Sequence, residues 1–196
     1  MTEGPFVVVA DNSDEAGDFE ADAEAVATSL AWRNPRKIYL GRLGTEATRA
    51  AIEESFDEGA SLMSYVGHGG IQLWAQENIF NTSEVSKLTP QSQQPFVITL
   101  NCLNGYFHFP YFNSLGEELV KAEGKGAIAS FSPSGLSVDE PAQIFQRALL
   151  QELLSGRHRR LGDAVLKAQS EYAATGEFPE LLRIYHLLGD PALSVR

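Results

Sequence analysis

Short apolar runs alternate with amphipathic stretches along most of the chain. The runs are rich in β-branched and aromatic residues, as in strands that are buried on both faces, and they occupy Phe6–Ala10, Lys37–Leu40, Ser61–Val66, Pro95–Leu100 and Gly126–Phe131. Between and after them, apolar residues recur at helical spacing, in stretches that begin near Phe19, Thr45, Ser114, Pro141 and Leu161. This alternation predicts one α/β domain with a mostly parallel sheet and helices on both of its faces.

The third predicted strand runs into a glycine-rich turn. Gly67, Gly69 and Gly70 surround His68, and glycine allows a backbone to turn sharply and to approach other groups closely. The mostly polar segment between this turn and the fourth strand predicts a long loop.

Chemically reactive side chains follow three of the predicted strands. Asp11 comes directly after the first strand, His68 soon after the third, and Cys102 soon after the fourth. The carboxyl ends of parallel strands meet at one edge of a sheet, and neighbouring strands are about 4.8 Å apart. We therefore expect His68 and Cys102 to lie close together, although they are distant in the sequence.

A cysteine beside a histidine can serve as a nucleophile. The attacking species is the thiolate, which is scarce at neutral pH unless a base or a positive charge stabilises it. Here His68 would activate Cys102 and later protonate a leaving amine, while Asp11 would fix the imidazole tautomer. The backbone N–H groups of Gly69 and Cys102 would face the developing oxyanion.

Each of these residues also has a structural explanation. A lone cysteine is often a small buried side chain, a lone histidine often has a purely structural role, and Asp11 suits a turn. The case for catalysis therefore depends on their joint placement at neighbouring strand ends. His108, in the aromatic segment after Cys102, is a second candidate base. We favour His68 because a neighbouring strand would fix its distance from the sulfur.

Composition narrows the classes of function. The chain has 196 residues and a formal net charge of −11, which disfavours binding to nucleic acid or to an anionic membrane. Its single cysteine excludes an internal disulfide. No apolar signal core or membrane-spanning run is visible. We expect a cytoplasmic location if the chain is complete, and secretion if it is excised from a longer precursor.

Several segments resemble, in order, the catalytic region of gingipain-type cysteine peptidases. They are YVGHGG (Tyr65–Gly70), LTPQSQQPFVITLNCLNGYF (Leu88–Phe107), FNSLGEELV (Phe112–Val120), GKGAIASFS (Gly124–Ser132) and LLGDPALSVR (Leu187–Arg196). A histidine in a glycine turn, followed by an apolar strand that leads into a cysteine, is the pattern that these enzymes share with caspases, legumain and separase. The resemblance spans nearly the whole chain.

The resemblance implies a caspase-like three-layer sandwich and a catalytic dyad of His68 and Cys102, with the amides of Gly69 and Cys102 as the oxyanion hole. Asp11 stands about where relatives carry an acidic partner of the histidine. Asp18 stands near the acid that faces the basic substrate side chain in arginine-specific gingipains. The same residue also suits the N-cap of the first helix.

Two further expectations come from the resemblance. Trp74, which follows the glycine turn, is expected to contribute to substrate binding. As a departure from the family, Ser132–Pro141 has no counterpart of the tryptophan that helps to shape the specificity pocket in relatives. Calcium occurs in some relatives, so the acidic segment Asp11–Asp18 is interpreted either as a structural calcium site or as a solvated loop. The implied chemistry requires no other cofactor.

The resulting hypothesis is a single-domain cysteine endopeptidase over residues 1–196. It would hydrolyse protein or peptide substrates through a thioester acyl-enzyme, with a preference for Arg or Lys before the scissile bond. The alternative is a catalytically silent caspase-like module that binds a partner or regulates an assembly. A nucleotide-binding domain is disfavoured because the glycine-rich phosphate-binding motifs are absent from the sequence.

Overall fold

Eight strands are present in the structure, a computed structural model that describes residues 4–195. They are β1 (Phe6–Ala10), β2 (Arg36–Tyr39), β3 (Leu62–Val66), β4 (Leu73–Trp74), β5 (Phe80–Asn81), β6 (Phe96–Leu100), β7 (Ala129–Pro133) and β8 (Tyr185–Gly189). Strands β4 and β5 form a small antiparallel pair, and the other six form one sheet in the order β2-β1-β3-β6-β7-β8. Within that sheet only β8, which pairs with β7, is antiparallel to its neighbour.

Helices connect most of the strands. They are α1 (Phe19–Ser29), a 3-10 turn (Ala31–Arg33), α2 (Leu40–Leu43), α3 (Thr45–Asp57), α4 (Thr82–Lys87), α5 (Leu115–Lys121), α6 (Asp139–Leu154), α7 (Leu161–Thr175) and α8 (Leu181–Ile184). Each helix in this part of the chain is too short or too polar to cross a lipid bilayer.

The sheet separates two apolar cores. In β1, Phe6 and Val8 face the core that α1, α6 and α7 cover, whereas Val7 and Val9 face the core that α3, α4 and α5 cover. Because successive side chains of a strand point to opposite faces, a strand between two helical layers is buried at every position, and most of its residues are apolar. This explains why the predicted strands read as unbroken apolar runs.

The structure confirms the predicted α/β fold and corrects several of its details. The long loop predicted after His68 contains β4, β5 and α4. The fifth predicted strand begins at Ala129 and not at Gly126, because the N–H groups of Ala127 and Ile128 bond to Leu119 and Pro95 outside the ladder. Helix α6 begins before Pro141, and β8 was not predicted from the sequence.

Candidate active site

The register of the sheet brings three strand ends to one level. Ala10 of β1 pairs with Val66 of β3, and Val66 pairs with Leu100 of β6. The ladder continues one residue further, since the N–H of Asp11 donates to the Val66 carbonyl at 2.9 Å and that of Gly67 donates to the Leu100 carbonyl at 3.1 Å. The predicted adjacency of the strands that precede His68 and Cys102 is therefore confirmed.

His68 and Cys102 line the same cavity at this edge of the sheet. Its volume is about 220 Å³. The other lining residues come from the start of α1, the ends of β3 and β6, and the start of α6: Ala16, Phe19, Gly67, Leu100, Asn101, Ser137, Asp139 and Ala142. The thiol and the imidazole thus share one small, partly enclosed space.

The imidazole of His68 is held on two sides. Its Nε2 lies 2.8 Å from Oδ2 of Asp14, and the two side chains remain 34% and 36% exposed. Its ring meets the ring of Phe19 edge to face at 5.1 Å. An N–H bond from Ala16, and then the bond to His68, lower the pKa of Asp14. Asp14 is therefore ionised at neutral pH and can orient the ring.

Asp11 holds the backbone of His68 and does not make the hydrogen bond to its ring. The N–H groups of His68 and Asn12 donate to the Asp11 carboxylate at 3.0 and 2.8 Å. Burial raises the pKa of Asp11 more than these two bonds lower it. The structure therefore gives the predicted ring-contacting place to Asp14, because the loop after β1 carries Asp14 out to the exposed edge of the imidazole.

Glycine is required in the turn that carries His68. Gly67 has φ of +151°, and a Cβ there would collide with Cβ of Asp11 and lie 2.7 Å from the Tyr65 hydroxyl. A Cβ at Gly69 would collide with the side chain of Asn101. The absence of side chains in this turn lets the histidine loop lie directly against the cysteine loop.

Asn104 joins the two loops. Its Oδ1 accepts hydrogen bonds from Nε1 of Trp74 at 2.6 Å and from Nδ2 of Asn101 at 2.5 Å. Its Nδ2 donates to the carbonyls of Gly70 and Leu73 at 2.5 and 3.1 Å. This buried network fixes the positions of the two loops relative to each other, because each bond would be costly to leave unmade in the interior.

A substrate-binding residue would be at the surface, but Trp74 is not. Its side chain is fully buried and packs between the rings of Tyr65 and Phe80 at centroid distances of 4.6 and 5.3 Å. This corrects the expectation of a substrate contact. The tryptophan helps to hold the site in place, since its indole N–H donates a hydrogen bond to Asn104.

Asp18 is the N-cap of α1, which was one of its two interpretations. Its Oδ1 accepts from the Ser13 hydroxyl at 2.6 Å and from the Ala21 N–H at 3.1 Å. These bonds lower the pKa of Asp18. Asp18 is not among the residues that line the cavity, whereas Asp139 is.

Asp139 forms a carboxylate pair with Asp22 beside the cavity. Burial, and then the negative charge of Asp139, raise the pKa of Asp22 to about 6. Gln143 donates to Asp139 at 3.2 Å. Of the residues that the structure describes, Asp139 lines the cavity and no Lys or Arg does, so this wall of the cavity has an excess of negative charge.

The thiol of Cys102 is covered on one side by the loop between β7 and α6. The N–H of Ser137 in that loop donates to Sγ at 3.4 Å. Leu103, which follows the cysteine, has φ of +64°, a conformation that costs a non-glycine residue energy and is common at functional sites. The chain thus turns away abruptly after the thiol.

Two other histidines lie outside the cavity. His108, the alternative base, is exposed and stacks on Tyr106 at 3.9 Å. His186 bonds to the hydroxyl of Ser134 at 2.9 Å, and burial lowers its pKa. Neither is among the residues that line the cavity with Cys102.

The two amides proposed for the oxyanion hole have free hydrogens. Across residues 4–195, no protein acceptor bonds to the N–H of Gly69 or of Cys102. Both residues belong to the loops that Asn104 ties together. Two unpaired N–H donors at the same edge of the sheet are what an oxyanion would need.

The acidic segment Asp11–Asp18 does not converge on a point. Asp14 pairs with His68 and Asp18 caps α1. In the described part of the chain, no three His, Cys, Asp or Glu side chains are arranged to hold a metal ion. These residues do not fit a calcium site, which was one of the two interpretations of this segment, and no step below uses a metal.

A model of peptidase family C25 matches residues 3–196. The chain belongs to this family. It is 28% identical over 159 residues to gingipain R2 of Porphyromonas gingivalis, an alignment that covers 74% of this chain and 21% of that protein. The same identity and length hold for gingipain R1 of that organism, of which 15% is covered.

Solved structures agree with the assignment. The Arg-specific cysteine proteinase gingipain R (RgpB) superimposes with a TM-score of 0.81 at 23% identity, over 97% of this chain and 47% of that one. A complex of the pro- and mature domains of RgpB gives a TM-score of 0.82 at 24% identity, over 98% and 48%. The chain thus spans about half the length of these two solved chains and a smaller share of gingipains R1 and R2, and it shares the fold of the solved chains.

Sequence reasoning missed three residues of the site. Asp14 lies among other acidic residues of a loop, Ser137 lies in a polar segment, and Asp139 lies at the start of a helix, so none of them stood out from its neighbours. The signal for Asp14 was its closeness to Asp11 in the sequence. The other two offered no comparable signal, because their role depends on how α6 meets the strand edge.

Proposed function

We propose that this chain carries the catalytic centre of a cysteine endopeptidase, with Cys102 as the nucleophile and His68 as the base. The observation that supports it best is that the two side chains share one cavity, where a carboxylate also holds the imidazole. A thiol, an imidazole and an ionised acid in this order form the arrangement that activates a nucleophile.

In the proposed reaction, Asp14 accepts the Nε2 proton of His68 in a hydrogen bond, which leaves Nδ1 to take the proton of the thiol. The sulfur then bonds to the peptide carbonyl carbon. As the C–N bond breaks, the imidazolium gives its proton to the leaving amine. Water, deprotonated by the same imidazole, hydrolyses the thioester and frees Cys102. These steps use only protein groups and water.

The amides of Gly69 and Cys102 are the proposed oxyanion hole. Their unpaired N–H groups would donate hydrogen bonds to the carbonyl oxygen as negative charge develops on it, without first breaking a protein hydrogen bond. Donors that are already oriented stabilise a transition state more than mobile ones do.

Asp139 and Asp22 are the proposed receptor for a basic side chain. Asp139 lines the cavity that holds the thiol, so a residue bound there would stand just before the scissile bond. Bringing a guanidinium or ammonium group to the pair would relieve the repulsion between its carboxylates. The structure thus favours a different acid from Asp18 for the same Arg or Lys preference.

The leaving side of the substrate would lie beyond His68. A second cavity of about 250 Å³ is lined by His68, Gly69, Gly70, Leu73, Ala75 and Gln76. Cys102 does not line it. Since the imidazole must reach the leaving amine, the residue after the scissile bond would enter this second cavity.

Peptide amides that differ in the residue before the cleaved bond test the proposal. We expect the native protein to cleave Arg and Lys substrates, and Cys102→Ala to cleave none. Asp139→Asn should raise KM for Arg substrates roughly tenfold or more, whereas Glu140→Gln, which removes an exposed charge from the same helical turn, should not.

Equal turnover by the native protein and Cys102→Ala would overturn the thiol mechanism. No turnover of any peptide by the native protein would favour the silent binding module instead. Cleavage without a basic preference would leave the mechanism in place and remove the role given to Asp139.

A further inference from the structure

One inward-facing residue of the loop between β7 and α6 links the thiol to a buried tyrosine. Ser137 donates its backbone N–H to Sγ of Cys102 at 3.4 Å, and its hydroxyl shares a hydrogen bond of 3.0 Å with the hydroxyl of Tyr185. Its neighbours Leu136 and Val138 are 73% and 42% exposed. Ser137 thus attaches the middle of this loop to the interior.

Tyr185 is a rigid anchor. It is the first residue of β8, where it pairs with Pro133, and its side chain is buried. Its ring packs against Phe131 and Phe145 at centroid distances of 5.4 and 5.7 Å. The position of its hydroxyl is therefore set by the sheet and by α6.

The loop needs such an anchor. The carbonyl of Gly135 accepts from the N–H of Leu103 at 3.1 Å, and the carbonyl of Val138 accepts from the N–H of Ala142 at 3.1 Å. These bonds fix the two ends of the segment. The direction of the Ser137 amide between them depends on the side chain of Ser137, which Tyr185 holds.

We propose that Tyr185 is a positioning residue for the thiolate, acting through Ser137. The tyrosine hydroxyl holds the serine, and the serine amide then points at the sulfur and stabilises its negative charge. This inference rests on the proposed role of Cys102, but the effect belongs to the thiol itself and is measurable without a substrate.

The chemistry favours the ionised form of Cys102. A hydrogen bond to the charged form of a group stabilises that form relative to the neutral one, and a thiolate accepts such a bond better than a thiol does. Burial raises the pKa of Tyr185, so its hydroxyl keeps its proton at neutral pH. His68 and Asp139 also line the cavity of the thiol, and Asp14 bonds to His68. All three are unchanged in the comparison below.

Alkylation of Cys102 by iodoacetamide measures the thiolate directly, because this is the only cysteine in the chain. We expect Tyr185→Phe to react roughly fivefold more slowly than the native protein near pH 7. Near pH 10 the two rates should converge, since thiols are then largely ionised. Ser137→Ala should behave in the same way. The variant that combines Tyr185→Phe with Ser137→Ala should react no more slowly than either single variant.

Tyr172→Phe is the matched control. Tyr172 is also buried, it also stacks on Phe145 (4.8 Å), and its hydroxyl donates to the carbonyl of Phe178 at 3.2 Å, a bond that does not involve the cysteine loop. Its alkylation profile should match that of the native protein. Circular dichroism would verify that all variants are folded.

Two results would overturn the inference. One is a native rate for Tyr185→Phe near pH 7. The other is a reduction by the same factor at both pH values, which would indicate altered access to the sulfur. Either result leaves the hydrolysis experiment with Cys102→Ala untouched, so failure here and failure of the peptidase proposal are distinguishable.

Discussion

Two histidines in this structure are paired with carboxylates, in regions that differ in every other respect. Asp14 and His68 meet at 2.8 Å at the carboxyl edge of the sheet. Glu152 and His158 meet at 2.6 Å where α6 leads into α7. Asp139 at the start of α6 lines the cavity, whereas Glu152 lies about 20 Å further along the helix.

The surroundings decide what each pair can do. The Asp14–His68 pair is about one-third exposed and shares its cavity with a thiol. Glu152 is fully buried and also binds Arg157. Burial alone would raise the pKa of Glu152, but the bond from His158 and the charge of Arg157 outweigh it and lower the pKa. The first pair is free to exchange a proton, while the second stabilises a helix connection.

Replacing the two histidines should have opposite effects, and this is the largest expected difference. His68→Ala should reduce kcat/KM roughly a thousandfold or more, because it removes the proposed base. His158→Ala should keep its activity per folded molecule. Peptide hydrolysis and thermal unfolding, measured on both variants, test this. Comparable losses of activity would show that the two pairs do not differ in role.

Glu152→Gln should destabilise the protein without affecting catalysis. It removes a buried charge that accepts bonds from Arg157 and His158, so we expect the free energy of unfolding to fall by about 2 kcal/mol. Because the pKa of Glu152 is lowered, its contribution is present at neutral pH and is lost as the pH falls through that pKa. Urea unfolding of the native protein and the variant near pH 7 and pH 3 measures this contribution. An unchanged unfolding midpoint near pH 7 would contradict the stabilising role of Glu152.

Asp14→Asn should reduce activity roughly tenfold while the fold remains intact. Asparagine keeps the size of the side chain but not the charge that orients and stabilises the imidazolium. The effect should appear in kcat more than in KM, since Asp14 does not touch the proposed substrate pocket. If kcat of this variant equals that of the native protein, Asp14 is not the acidic partner of His68, and Asp11 becomes the candidate for that role.

Asp22→Asn should have the smallest effect on stability, with a definite sign. The pKa of Asp22 is raised from 3.8 to about 6, so the folded state holds this proton more tightly than the unfolded chain does. Its ionisation therefore costs stability as the pH rises through that range. We expect the variant to be more stable near pH 8 by about 1 kcal/mol, allowing for partial exposure, and unchanged near pH 3. Thermal unfolding at the two pH values measures the difference.

The sequence predicts the sheet better than it predicts the acids around the site. Unbroken apolar runs such as Phe6–Ala10 indicate burial on both faces, and strands that follow one another in the sequence of such a sheet are usually neighbours. Hence the adjacency of the His68 and Cys102 strands was predictable. Asp14 and Asp11 are equivalent in an acidic loop until the path of that loop is known.

Trp74 is a second example of a residue whose place in the site could not be predicted from local sequence. An aromatic residue just after a catalytic turn is compatible with a substrate wall or with a core, and local sequence does not separate the two. The decision comes from β4 and β5, a short pair within a segment that has no strong strand pattern. Their pairing buries the indole against Tyr65 and Phe80.

Labelling with a peptidyl-arginine chloromethyl ketone tests the central claim most directly. This reagent places a basic side chain beside the thiol and alkylates the residue that attacks. Peptide mapping by mass spectrometry should locate the label on Cys102 of the native protein, with labelling slowed roughly a hundredfold in His68→Ala and unaffected in His158→Ala. Equal labelling rates in all three proteins, or a label on another residue, would contradict the account.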